Sequence, residues 1–341
     1  MSTSQIINKN WLISQEALEK WLDSLAKARS LIAPRDVDGI LLYRPVENSR
    51  QIQCDFSRPV MSAKEFFFAS TERLLKIKKT GQQVTLLETL PEGQTVIFGV
   101  RPCDARGLQT LDALFIEHAP IDPYYTRHRQ NTALIGLACK EMGPTCFCTS
   151  VGGAPDNADG MDVMLYETEG GYLVQAMTEK GLTLIPQTEW PLTDEAPVPA
   201  KTDAPLYTVP QQDSWPAQFN ADYWEHMSER CLSCRVCAYV CPTCRCFIIR
   251  DEALTTPGQF ERIRCWDSCT GENYRRVAGG HRPRADQSER LRNRIYCKFY
   301  YYPEQYELGE TPACTGCGRC VDSCPVNLDI TEILTDMGRL V

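Results

Sequence analysis

The sequence predicts an α/β N-terminal domain followed by a mainly α-helical C-terminal domain. Three observations carry this. Two strand-length apolar runs, 95–100 and 132–138, bracket a helix-like stretch at 105–115, which is the strand, turn, helix, strand order of an α/β layer. Seven prolines fall within residues 186–216, as in an extended linker. Beyond residue 217 almost nothing alternates as a strand does, apart from 247–250, so helices should dominate there. The 341 residues divide accordingly into 1–186, a Pro-rich linker at 187–216, and 217–341. Two domains also suit the length, at roughly 150 residues each.

Residues 11–33 set Trp11, Leu12, Ile13, Leu18, Trp21, Leu22 and Leu25 in a helix-like apolar pattern, unlike the continuous apolar stretch of an export signal. A short strand is expected over 39–43. A basic and apolar stretch then ends in Phe66, Phe67 and Phe68, and a second helix is expected over 70–79. The two apolar strands each run into a cysteine-bearing turn, Arg101-Pro102-Cys103-Asp104 and Cys139-Lys140-Glu141. Ligand sites in such sheets sit at strand C-terminal ends. Residues 162–186 alternate as a hairpin around Gly170-Gly171. Further helices are expected over 217–230, 285–301 and 329–340. The apolar runs are far short of the ~20 residues of a membrane span, so we expect no membrane span and a cytoplasmic location.

Cysteine is the main compositional signal: 18 in 341 residues, too dilute for a stapled mini-protein and suited to metal or redox chemistry. Cys231-x-x-Cys234-x-x-Cys237-x-x-x-Cys241-Pro242 is repeated as Cys314-x-x-Cys317-x-x-Cys320-x-x-x-Cys324-Pro325. This is the bacterial ferredoxin run, in which three thiolates on a compact loop cap one cubane and the fourth cysteine reaches the other. By that rule Cys231, Cys234, Cys237 and Cys324 hold one 4Fe–4S cluster. Cys314, Cys317, Cys320 and Cys241 hold the second. The 72 residues between Cys241 and Cys314 favour a helical two-cluster ferredoxin-like domain over a βαββαβ module with a long insertion. Cys103, Cys139, Cys146 and Cys148 would meet at one sheet edge if their strands are neighbours. They form either a third cluster site or a set of buried free thiols. Cys54, Cys244, Cys246, Cys265, Cys269 and Cys297 have no assigned role.

Net charge is −8, yet residues 261–300 carry ten Arg/Lys against five Asp/Glu. We read Arg262, Arg264, Arg275, Arg276, Arg282 and Arg284 as an electropositive surround for an anionic cofactor or an acidic partner, not as a nucleic-acid surface. No Gly-x-Gly-x-x-Gly stands between a strand and a helix, and no Walker A motif appears, so no flavin or nicotinamide site is evident. The histidines His118, His128, His226 and His281 form no paired zinc motif. Clusters without a visible substrate site describe a relay between groups held elsewhere, and no catalytic residue is assigned. The alternative is a sulfur, polysulfide or disulfide reductase acting through Cys244/Cys246 or Cys265/Cys269, where neighbouring arginines would lower a thiol pKa.

Several motifs together resemble a known family: Gly99-Val100-Arg101-Pro102-Cys103-Asp104, Cys139 with Cys146-Phe147-Cys148, Cys241-Pro242-Thr243-Cys244-Arg245-Cys246-Phe247, Trp266-Asp267-Ser268-Cys269, Ala278-Gly279-Gly280 and Glu289-Arg290-Leu291-Arg292. In this order they are similar to the family of 4Fe–4S dicluster electron-transfer subunits that includes those of anaerobic sulfite reductase and the beta subunit of sulfhydrogenase. The resemblance implies an iron–sulfur electron-transfer subunit of a cytoplasmic complex. It also implies two partners: a flavin subunit using NAD(P)H (or a ferredoxin), and a terminal catalytic subunit of the sulfite reductase, hydrogenase or heterodisulfide reductase type, with sulfite, hydrogen, sulfur or a heterodisulfide as its substrate. It favours Cys103, Cys139, Cys146 and Cys148 as a ligand set, and it sets Cys244, Cys246 and Cys269 within matching motifs while leaving Cys265 and Cys297 outside them.

Overall fold

The computed structural model describes residues 9–340. The chain opens with β1 (Asn10–Ser14), α1 (Gln15–Ala28), β2 (Ser30–Val37) and β3 (Ile40–Val46). The single helix expected over 11–33 is thus divided. Trp11 and Ile13 alternate inward from β1, whereas Leu18, Trp21, Leu22 and Leu25 repeat with helical spacing. Ser14 marks the switch, its hydroxyl accepting from the Ala17 N–H as an N-cap.

Next come β4 (Thr71–Thr80), β5 (Gln83–Glu88), β6 (Thr95–Val100), α2 (Pro102–Asp112), α3 (Pro123–Asn131) and β7 (Thr132–Leu137). The expected hairpin forms as β8 (Val163–Thr168) and β9 (Gly171–Ala176), followed by α4 (Glu179–Leu182) and β10 (Leu192–Thr193). The chain then runs through α5 (Tyr223–Glu229), α6 (Val236–Tyr239), β11 (Phe247–Ala253) and β12 (Gln259–Trp266). It closes with α7 (Gln287–Tyr296), α8 (Tyr302–Gln305), α9 (Arg319–Asp322) and α10 (Ile330–Arg339). No helix among the described residues is long and apolar enough to cross a membrane.

Eight strands form one sheet in the order β10-β1-β9-β8-β7-β6-β2-β3. Its centre, β2-β6-β7-β8, is parallel, and β6 and β7 are almost wholly buried, as parallel strands covered on both faces are. One face packs on α1 through Trp21, Leu22 and Leu25. The other packs on α2 and the Phe67–Phe68 pair. The proline-rich stretch runs back along this unit: Leu192 pairs with Trp11, and Lys201 bridges to Glu141.

Two elements differ from expectation. Residues 70–79 form strand β4 and not a helix, and β12 is a strand that no local pattern predicts. They pair with each other in a second sheet, β11-β12-β4-β5. Leu74, Leu75 and Ile77 fit either period over so short a run, and the partner that decides between them lies 192 residues away, at the Glu72 and Arg264 pairing. The cysteine-rich half is therefore helical at its ends with a hairpin between. A separate core there joins Trp215 and Trp224 to Tyr296, Phe299, Ile333 and Leu334.

Candidate metal centres

Neighbouring parallel strands β6 and β7 end at the same sheet edge. That sets Cys103, in the first turn of α2, beside Cys139, just beyond β7. Arg101 ties the two turns: its Nη1 donates to the Leu137 carbonyl at 2.9 Å and the Ala138 carbonyl at 2.8 Å, while its guanidinium lies 4.0 Å over the Phe56 ring. The 139–148 loop folds back, so that Cys103, Cys139, Cys146 and Cys148 line one recess with Arg58, Arg101 and Cys317.

Arg58 donates to Cys146 Sγ at 3.0 Å. Burial, and after it the Asp104 carboxylate, push the Cys103 thiol well up. Burial likewise raises Cys139 and Cys146, and takes Cys148 to about 11. Buried thiols ringed by guanidiniums fit a metal group that would hold them as thiolates. Arg106 gives a second sign of fit. Its buried Nη1 has no hydrogen-bond partner, and it lies within electrostatic reach of Cys314, Cys148 and Cys103. An anionic cluster would account for that unpaired donor.

In the C-terminal half, Cys231, Cys234, Cys237 and Cys324 line a recess with Cys320, and Leu291, Ile295, Leu328 and Ile330 wall it. Backbone N–H groups point at the sulfurs: Ser233 to Cys231 at 3.4 Å, Leu328 to Cys324 at 3.2 Å, and Gly316 to Cys314 at 3.5 Å. Such bonds tune an iron–sulfur potential. Cys314, Cys320 and Cys241 lie within electrostatic reach of one another and of Cys317. Among the described residues no three Cys, His, Asp or Glu side chains converge closely enough for a single metal ion. The Cys231 and Cys103 sets each line a recess instead.

The two halves meet at these loops. A Cβ on Gly316, whose φ is +64°, would lie 2.6 Å from Cys148 Cα, so the second ferredoxin loop touches the N-terminal set directly. The Phe147 N–H donates to the Gly316 carbonyl at 2.8 Å. Gly107 of α2 faces Pro242, where a Cβ would come within 2.6 Å of the ring. Arg319 and Asp104, each 1% exposed, pair through two bonds of 2.7 and 2.8 Å.

Of the arginines expected to form the electropositive surround, Arg262 is paired with Asp251, Arg264 with Glu72 and Asp122, and Arg282 with Glu272. Of that set Arg275 lies within electrostatic reach of Cys246, and the other cations near the thiols are Arg58, Arg101, Arg106, Arg294, Lys64 and Lys298. Sequence reasoning missed them. Arg101 stood in a quoted motif, and nothing in spacing marked the others. Cys54 packs under the large sheet, where burial lifts its thiol to about 11. Cys265 lies on β12 between Thr71 and Ile248. Hydrogen bonding from Cys269 holds the Cys246 thiol down at about 5 against the cost of burial.

A profile of the 4Fe-4S dicluster domain matches residues 230–328. The chain is 31% identical over 338 residues to sulfhydrogenase 2 subunit beta of Pyrococcus furiosus, covering 95% of this chain and 97% of the relative. No solved structure matches significantly.

Proposed function

The chain belongs to the sulfhydrogenase beta subunit family, and from that premise we propose that it is the iron–sulfur relay between two other subunits of an oxidoreductase complex. One partner would be a flavin subunit that exchanges electrons with NAD(P)H, or a ferredoxin. The other would be a terminal subunit whose substrate is hydrogen, sulfite, sulfur or a heterodisulfide. The relative's name describes one subunit of a multi-subunit sulfhydrogenase, which supports an assembly of this kind.

The observation that carries the reading is the convergence of Cys324 with Cys231, Cys234 and Cys237 in one recess, although the fourth thiol comes from the other ferredoxin run. Crossed ligation in a two-cluster domain would bring these four thiols together in this way. We assign Cys231, Cys234, Cys237 and Cys324 to one 4Fe–4S cluster and Cys314, Cys317, Cys320 and Cys241 to the second. Cys103, Cys139, Cys146 and Cys148 are proposed to hold a third, supported by their shared recess and by the unpaired Nη1 of Arg106. When bound, these clusters supply one-electron transfer. The chain's own residues hold the thiols in place, exclude water with apolar walls, and set the local charge through Arg58, Arg106 and Arg294. The proposed division into 1–186, 187–216 and 217–341 keeps the first two clusters in the last segment and the third in the first.

The test is spectroscopic and uses the complex purified without oxygen. Adding NAD(P)H is expected to reduce cluster signals of this subunit through the co-purified flavin subunit. Clusters that cycle with dithionite but never respond to any partner subunit would overturn the relay.

A further inference from the structure

Four cysteines outside the assigned sets come together at the base of the β11–β12 hairpin. Cys244 and Cys246 lie on the turn leading into β11, and Cys269 follows the turn that leaves β12. The Asp267 N–H donates to the Cys246 carbonyl at 2.9 Å, one step beyond the Phe247 and Trp266 pairing that ends the hairpin. The Cys246 thiol has Cys269 and Tyr274 as neighbours. Cys297, where α7 passes into a π-turn, lies within electrostatic reach of Cys269, as does Cys244.

Cations surround this group. Lys64 and Lys298 are each 2% exposed and Arg294 is 5% exposed. Lys64 donates to the Cys244 carbonyl at 3.1 Å and lies 4.0 Å over the Trp266 ring. Lys298 donates to Thr243 Oγ1 at 2.5 Å, and Arg294 approaches Cys244 Sγ at 3.8 Å. Arg245 stacks 3.5 Å over Tyr302, and its buried Nη1 has no partner, although Cys297 and Cys246 are within electrostatic reach. None of these four cations meets a carboxylate among the described residues. Unpaired buried charge is costly, so a compensating anion belongs here.

We propose that Cys244, Cys246, Cys269 and Cys297 form a fourth thiolate site that holds an iron–sulfur cluster beside the set that includes Cys241. The proposal rests on the relay reading and extends it: the chain carries a branch or a further step next to its second ferredoxin cluster. The buried, unpartnered Arg245 Nη1 would face that cluster.

The test counts metal in the full chain, made with iron–sulfur assembly factors and purified without oxygen. The unsubstituted chain is expected to carry about sixteen irons and as many labile sulfides, four per cubane. Cys269→Ala combined with Cys297→Ala should remove about four of each and leave the other cluster spectra in place. Unchanged iron in that double variant overturns the proposal, as does stoichiometric zinc, or a Cys246–Cys269 disulfide found by peptide mapping of alkylated protein. If the double variant does not fold, Cys297→Ser alone is counted beside the parent, and an iron content equal to the parent's overturns the fourth site. Failure of the relay reading looks different. Iron would then be missing from the Cys231 and Cys314 sets too, and alanine variants of those cysteines would change nothing.

Discussion

Asp104 sits one residue from Cys103, and Arg319 one residue from Cys320. Their bidentate pair, at 2.7 and 2.8 Å, fixes the N-terminal set against the second ferredoxin loop. The Tyr43 hydroxyl adds a third bond to Asp104 at 3.3 Å, and Arg319 Nε donates to the Pro59 carbonyl at 2.9 Å. A pair this buried gains little over an apolar substitute, but breaking it by removing one charge typically costs about 3–5 kcal/mol. Asp104→Asn is expected to destabilise the chain by that amount in a denaturant titration, and to release iron from the Cys103 set before the others. Asp104→Leu together with Arg319→Met should recover part of the loss. A single variant as stable as the parent would show that the pair does not hold this junction. Cys103 was legible as a candidate ligand because it follows an apolar strand. Asp104 was not legible as its anchor, since the partner lies 215 residues away.

At the scale of elements, the strand-turn-helix-strand unit β6-α2-β7, the β8–β9 hairpin and helices α7 and α10 were readable because each carries its own local period and turn residues. The β4–β12 pairing was not. Its deciding interaction is a buried cluster in which Arg264 serves Glu72 and Asp122 while His128 bonds Glu72 at 2.9 Å, and no local pattern announces it. Burial alone would raise the Glu72 pKa, but the His128 hydrogen bond and the Arg264 guanidinium outweigh it and hold it below the ordinary value. In the parent this contribution is complete above the unfolded carboxylate pKa of about 4.3 and is lost as pH falls through the depressed folded value. Arg264→Met removes the countercharge, so burial should lift Glu72 above its unfolded pKa and reverse the sign. The variant is expected to melt lower than the parent at about pH 7.5, with the deficit narrowing toward about pH 5.5 as Glu72 takes up a proton. A deficit that stays constant across that range would mean Glu72 does not titrate with the pairing.

Across the whole molecule, the thiol sets lie in contact order: the Cys103 set against the Cys314 set, and the Cys314 set against the Cys231 set. A guanidinium stands at each junction. Arg106 is within electrostatic reach of Cys314, Cys148 and Cys103. Arg294 is within reach of Cys237, Cys320, Cys244 and Cys241. A cation between two clusters favours the reduced, more negative form of both, so it raises their potentials together. A unit charge several ångströms away, at an effective dielectric of about 20, is worth a few kcal/mol, or on the order of 100 mV for one electron. Arg294→Met should therefore shift the midpoint potentials of the Cys231 and Cys314 centres downward by that order in a dithionite titration followed by electron paramagnetic resonance. The Cys103 centre, beyond Arg106, should move much less, and Arg294→Lys should keep most of the parent values because it keeps the charge. Equal shifts at all centres would point to a general loosening of the fold, and a shift in Arg294→Lys as large as in Arg294→Met would assign the effect to packing instead of charge.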